Sequence, residues 1–236
     1  MNQNGIKFVA AIAMTFDHVG EFIFKGTNDT LYLIFKSIGR IAYVLFAYMI
    51  VEGFNHTSNL KSYFLRLFSF ALIIELGLGI ISIISGENYT IFGMSQNVIW
   101  PLVFGLGGLI LLNNKLFIIR LSSILIVALA LILNIQYGAY GVLIILIFGL
   151  YPNKLTQFLF LVGLNLLFID VPLLQYLGKS DMARYTGDGW IQWFSLLSFI
   201  FIGMYNGLKG KLNTKWFFYI FYPTHLGIIF LISILL

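Results

Sequence analysis

The sequence contains no cysteine and little charge: 10% of its 236 residues are Asp, Glu, Lys or Arg. Without cysteine there can be no disulfide, no thiolate metal ligand and no acyl-cysteine intermediate, and the redox compartment leaves no trace. So few charges, alongside 60% apolar residues and a mean hydropathy of +0.94, exclude an ordinary soluble fold. Histidine is scarce as well. His18, His56 and His225 lie far apart, without HxxxH or HExxH spacing, so no metal site is expected. The chain also lacks a Walker or GxGxxG phosphate loop, a heptad seam, an internal repeat and a low-complexity linker. Its net charge of +5 comes without a dense basic cluster interleaved with aromatics, which argues against a nucleic-acid partner.

What is there is a succession of apolar runs, each near the roughly 20 residues that cross about 30 Å of hydrocarbon. Lys7 and the "AIA" at 11–13 mimic a signal peptide, but the apolar stretch before that site is too short and continues beyond it, so the segment is read as retained. The runs predict an all-α, polytopic membrane bundle that occupies residues 1–236 as one domain and has membrane lipids as its solvent. Spans are expected at 6–24, 31–54, 63–85, 97–113, 117–134, 138–151, 155–177, 190–208 and 215–236. The sixth is short. Re-entry of that segment, or its fusion to a neighbour, would leave eight. The glycines of "GLGG" at 105–108, and those at 77 and 79, predict close helix packing.

Orientation follows from lysine and arginine near helix ends. Lys7, Lys61, Arg66, Lys115, Arg120, Lys154, Lys209, Lys211 and Lys215 collect on one side, against Lys25, Lys179 and Arg184 on the other. This asymmetry predicts a cytoplasmic amino terminus in a multi-pass cell-membrane protein. It also favours nine spans, because removing the sixth would place Lys154, Lys209, Lys211 and Lys215 on the wrong side.

The first span carries "MTFDHVGEF" at 14–22. At 100° per residue, Glu21 and His18 fall about 40° and 100° from Asp17, and Lys7 and Lys25 both fall about 80° from it. One polar stripe therefore runs along this helix, and it must face protein or a water-filled cavity, since each ionised residue near the bilayer centre costs about 2.5–3.5 kcal/mol. The second span adds Lys36 and Arg40 on one face and Glu52 near its end. Two uses fit. The stripe is an interhelical ion-pair clamp, or it surrounds a histidine base, His18, oriented by Asp17 or by Glu21 at i+3.

After the second span, "VEGFNHTSNLKSYFLRLFSF" places His56, Thr57, Lys61 and Arg66 at the predicted cytoplasmic face. Cations and hydrogen-bond donors there suit phosphate groups, and also serve simply as topology residues. In the last span "FYIFYPTHLG" gathers Tyr219, Tyr222 and His225 within a 120° arc around Pro223, a candidate kink. Two external loops are unusually polar, "SGENYTIFGMSQN" at 85–97 and "GKSDMARYTGDG" at 178–189.

Four blocks resemble the TraX family: "IAMTFDHVGEF", "GRIAYVLFAYMIVEGFNHTSNLKSYFLRLFSFA", "ARYTGDG" and "FYIFYPTHL". They follow in the family's order along the chain, with only generic hydrophobicity between about 100 and 175. The resemblance, to a family associated with acetylation of a pilin amino terminus, implies acetyl transfer to a membrane-embedded or exported acceptor, such as a peptide amino terminus or another amine or hydroxyl. It also implies a distant similarity to membrane acyltransferases that take an acyl group from cytoplasmic coenzyme A, with a histidine in an early helix and arginines near the cytoplasmic ends of the next. His18 and Arg66 match those positions in kind.

On that resemblance, acetyl-coenzyme A is the expected acyl donor, with no metal. His56, Thr57, Lys61 and Arg66 would hold its phosphates, with Arg40 either joining them or binding Asp17. His18 would be the base, with Asp17 or Glu21 as its partner. Asn97, Arg184 and Tyr185 would bind the acceptor, and Tyr222 or His225 would stabilise the oxyanion. Two rival classes share these residues: a proton-coupled transporter with an Asp17, His18 and Glu21 relay and an anion held by Lys36 and Arg40, and a non-enzymatic scaffold for peptide export.

Overall fold

The computed structural model describes residues 1–84, 97–133, 135–170, 189–212 and 216–235. They form nine α-helices and no strand: α1 (Gln3–Val19), α2 (Asp29–His56), α3 (Leu60–Ile84), α4 (Ile99–Leu112), α5 (Phe117–Ile132), α6 (Gly138–Leu150), α7 (Lys154–Asn165), α8 (Ser198–Met204) and α9 (Phe217–Leu235). Each expected span holds one of them.

Three of these, α2, α3 and α9, are long and apolar enough to cross a membrane. The helix α1 continues through a π-helical turn, Gly20–Phe24, in which Lys25 N–H donates to the Gly20 carbonyl at 3.1 Å. It has the length, but Lys7, Asp17 and Glu21 dilute its hydropathy. The helices α4 and α6 have 14 and 13 residues and fall short of the roughly 20 needed. The sixth segment is a helix of its own, set off from α5 by a turn in which Tyr137 takes φ 60°.

The eighth expected span is two elements. A 3-10 helix, Gly189–Leu197, precedes α8, and at three residues per turn Gln192 and Ser195 eclipse one another on one face, with Ser198 next at the start of α8. All three are buried.

The chain divides into two compact units, one made of Met1–Phe46 and Trp190–Leu236 and the other of Ala47–Gly189, with the division inside α2. In the second unit α4 and α6 approach through glycine. A Cβ on Gly105 would meet Ile145 at 2.4 Å, and one on Gly149 would meet Leu109 at 2.3 Å. Close packing expected at "GLGG" is found there. It is not found at Gly77, where an added Cβ would meet nothing within 4 Å among the described residues. Outward faces are apolar: Ile73, Leu76, Ile80 and Ile83 on α3, and Ile118, Ile124, Leu125 and Ile132 on α5 are exposed. Such surfaces are costly in water and neutral against lipid tails, which makes this a membrane protein.

In the first unit the amino terminus is tied down. The Met1 ammonium donates to the Met204 carbonyl at 2.6 Å, Gln3 N–H to Leu208, and the Asn4 amide to Leu212. These bonds fix the start of α1 against the segment that leads from α8 to α9.

Candidate functional site

Glycine decides how α1 meets α2. A Cβ at Gly39 would lie 2.8 Å from the Asp17 Cα and 2.4 Å from its Cβ, so only hydrogen lets the helices approach this closely. Across that contact Arg40 Nη2 donates to Asp17 Oδ1 at 2.8 Å, and Lys36 Nζ donates to Asp17 Oδ2 at 3.0 Å. Lys36 also reaches Glu21 Oε2 at 3.1 Å, and Glu21 binds Lys25 through its other oxygen. Lys36 and Arg40 are almost wholly buried. Their desolvation is offset because each faces a carboxylate at hydrogen-bond range.

This network corrects one expectation and meets another. The carboxylates do not orient His18, because the cations of α2 and Lys25 engage them. Arg40 sits on Asp17 and is buried there, the second of the two uses expected of it.

His18 has another partner. Its Nδ1 lies 2.8 Å from Nε2 of His225, which α9 supplies from 207 residues along the chain. His225 Nδ1 in turn lies 2.8 Å from the Phe221 carbonyl oxygen, one helical turn earlier. Aromatic rings hold the pair in place: His225 stacks on Phe221 at 4.7 Å and 7°, and Tyr222 stands edge-on to His18 at 6.2 Å. His18, Tyr222 and His225 are all buried. With both ring nitrogens engaged, His225 has no N–H left for an oxyanion, which corrects the expected role.

The residues after α2 are arranged differently. His56 ends α2, exposed, with Nδ1 2.9 Å from the Glu52 carbonyl. Thr57 lies in the turn and accepts from Asn59 N–H at 3.4 Å. Lys61 in the first turn of α3 is exposed and Arg66 is half-buried. Solvent-facing cations on one helical hairpin fit anionic phosphate chemistry.

Asn97 is not available to an acceptor. It is fully buried, donating to the Ala71 carbonyl and to Glu75 Oε2, both at 2.9 Å, and accepting from Ile99 N–H. Trp100 Nε1 donates to the same Glu75 oxygen at 2.8 Å. Sequence reasoning passed over Glu75, although an isolated carboxylate in an apolar helix is itself a signal. Arg184 and Tyr185 lie outside the described residues.

The TraX protein family model matches residues 2–233. The chain belongs to the TraX family. Among related proteins, the probable fimbrial assembly protein FimC, serogroup H1, of Dichelobacter nodosus is 27% identical over 232 residues, spanning 95% of this chain and 92% of that protein. No solved structure matches. The four blocks that carry the resemblance include both ends of the His18–His225 contact and both sides of the Asp17–Arg40 contact. The His18–His225 and Asp17–Arg40 contacts of this TraX-family chain thus join those blocks, while Lys25 and Lys36 come from the residues between them.

Proposed function

We propose that this TraX-family protein is an acetyl-coenzyme A-dependent membrane acyltransferase acting on the amino terminus of an exported, pilin-type peptide. The observation that carries the proposal is the buried histidine, His18, held by a second histidine beside a closed ion-pair network. Such a pair has the composition of a general base, and a salt-bridged clamp alone has no use for it. The fimbrial assembly name of the relative from Dichelobacter nodosus supports a pilin-type acceptor.

In this proposal the acceptor amine attacks the thioester carbonyl while His18 takes its proton. Tyr222, beside His18, is the candidate donor to the oxyanion, and Lys61 and Arg66 bind the phosphates of the acyl donor. In this orientation the amino terminus lies in the cytoplasm, the compartment that supplies the donor.

The test is binding and turnover of acetyl-coenzyme A by purified protein, comparing wild type with His18→Ala and Arg66→Ala. Saturable binding with turnover lost in His18→Ala supports an acyltransferase. Full activity in His18→Ala rules out the base assignment, and no binding by folded wild type removes the reaction class.

A further inference from the structure

The contact between the two histidines also decides where their hydrogens sit. A neutral imidazole has one N–H and one acceptor nitrogen, and an imidazolium has two N–H groups. A carbonyl oxygen only accepts, so His225 Nδ1, 2.8 Å from the Phe221 oxygen, carries a hydrogen. Between His225 Nε2 and His18 Nδ1, also 2.8 Å apart, there is room for one hydrogen. In the neutral pair His225 has already placed its hydrogen on Nδ1, so the bridging hydrogen belongs to His18 Nδ1. Of the four ring nitrogens, His18 Nε2 alone stands outside this chain of bonds. It therefore holds the lone pair.

We propose that His225 is a positioning residue that locks His18 in the Nδ1–H tautomer and makes Nε2 the atom that accepts the substrate's proton. The proposal rests on the acyl-transfer function above. In the step, the acceptor nitrogen attacks the thioester carbonyl, the C–N bond forms and the C–S bond breaks with its electron pair leaving on sulfur. The acceptor's proton goes to His18 Nε2 and is then returned to the thiolate, which leaves as the free thiol of coenzyme A. Between those events the pair holds one added proton, which the 2.8 Å bridge lets both rings share.

The ion-pair network has a part in this. A carboxylate beside an imidazole stabilises its charged form and so favours a base that is already protonated. Asp17 and Glu21 are the nearby carboxylates along α1, and Lys36, Arg40 and Lys25 hold them. A neutral imidazole orients His18 in their place, fixing the tautomer without supplying a full charge. The arrangement has the logic of a base and an orienting acceptor, with a histidine and a backbone carbonyl where an acid is more usual.

The experiment uses full-length protein labelled with 15N-histidine in lipid bilayers, where the chain's three histidines are assigned by single substitution. Nitrogen chemical shifts report which ring atoms carry hydrogen. Wild-type His18 is expected to be protonated at Nδ1 and bare at Nε2, a pattern lost in His225→Phe. In acetyl-coenzyme A turnover, His225→Phe should lower kcat by about 10- to 100-fold with KM unchanged, part of the 10²–10⁴ a general base supplies. His225→Gln, whose amide oxygen can accept from Nδ1, should recover most of it. An Nε2–H tautomer in the wild type overturns the proposal, as does wild-type kcat in His225→Phe, or failure of His225→Gln in protein whose Tm matches wild type. If wild type itself has no turnover, the acyl-transfer function falls, and the nitrogen shifts still decide the tautomer.

Discussion

Arg40 donates to Asp17 at 2.8 Å across a helix contact that only a glycine at position 39 permits. Lys36 takes the other carboxylate oxygen, so Asp17 is the centre of a buried cluster with more cations against it than one charge can match. The clamp that joins α1 to α2 is therefore sensitive to the loss of this one carboxylate.

Asp17→Asn should destabilise the protein by about 3–5 kcal/mol, because it leaves two buried cations with reduced compensation. Thermal unfolding in detergent measures it. Adding Arg40→Gln should recover part of the loss, and a double-mutant cycle with no coupling would show that the contact holds nothing together.

Gly39→Ala places a methyl group inside the Asp17 side chain and too near its Cα. Overpacking of this kind costs about 1–3 kcal/mol, and here it should also part Arg40 from Asp17. The substitution is expected to lower both Tm and acetyl-coenzyme A turnover. Unchanged values of both would mean that α1 and α2 can separate freely.

Arg66→Ala and Lys61→Ala should each raise the apparent KM for acetyl-coenzyme A, by about tenfold for Arg66, while kcat stays within a factor of two, as expected when binding is lost equally in ground and transition states. Steady-state kinetics with varied donor reads this directly. A fall in kcat at constant KM would move Arg66 into the chemical step.

Glu75→Leu removes the acceptor for the Asn97 amide and the Trp100 indole. A buried donor that loses its partner costs about 1–3 kcal/mol, so Tm should fall clearly, whereas the KM for the acyl donor should not move. A large change in KM with stability intact would make Glu75 part of a binding site.

Because the chain has no cysteine, single introduced cysteines report topology without background. In right-side-out vesicles a membrane-impermeant maleimide should label Thr27→Cys and leave Ser58→Cys untouched until the membrane is opened. The reverse pattern would invert the orientation drawn from lysine and arginine.

The sequence made the helices legible because apolar run length and positive charge near helix ends are local properties, readable without knowing what packs where. Asp17–Arg40 was open to sequence reasoning too, as opposite charges on neighbouring helices at similar depth invite pairing. The arrangement around Glu21 was harder to foresee. A helical wheel assumes 100° per residue, and the π-turn at Gly20–Phe24 breaks that assumption where Glu21 begins.

Asn97 was misjudged because its loop looks polar from outside, whereas burial against Glu75 depends on how α3 and α4 meet. The sequence by itself determined an all-helical membrane protein of the TraX family, with His18 and its charged neighbours held in an apolar helix. Only the tertiary structure decided that His18 answers to His225 and not to the carboxylates beside it. Neighbours at i+3 and i+4 are visible in a string of letters, but a partner 207 residues away is chosen by helix packing, and packing decided that cations, not histidine, would reach Asp17 and Glu21 first.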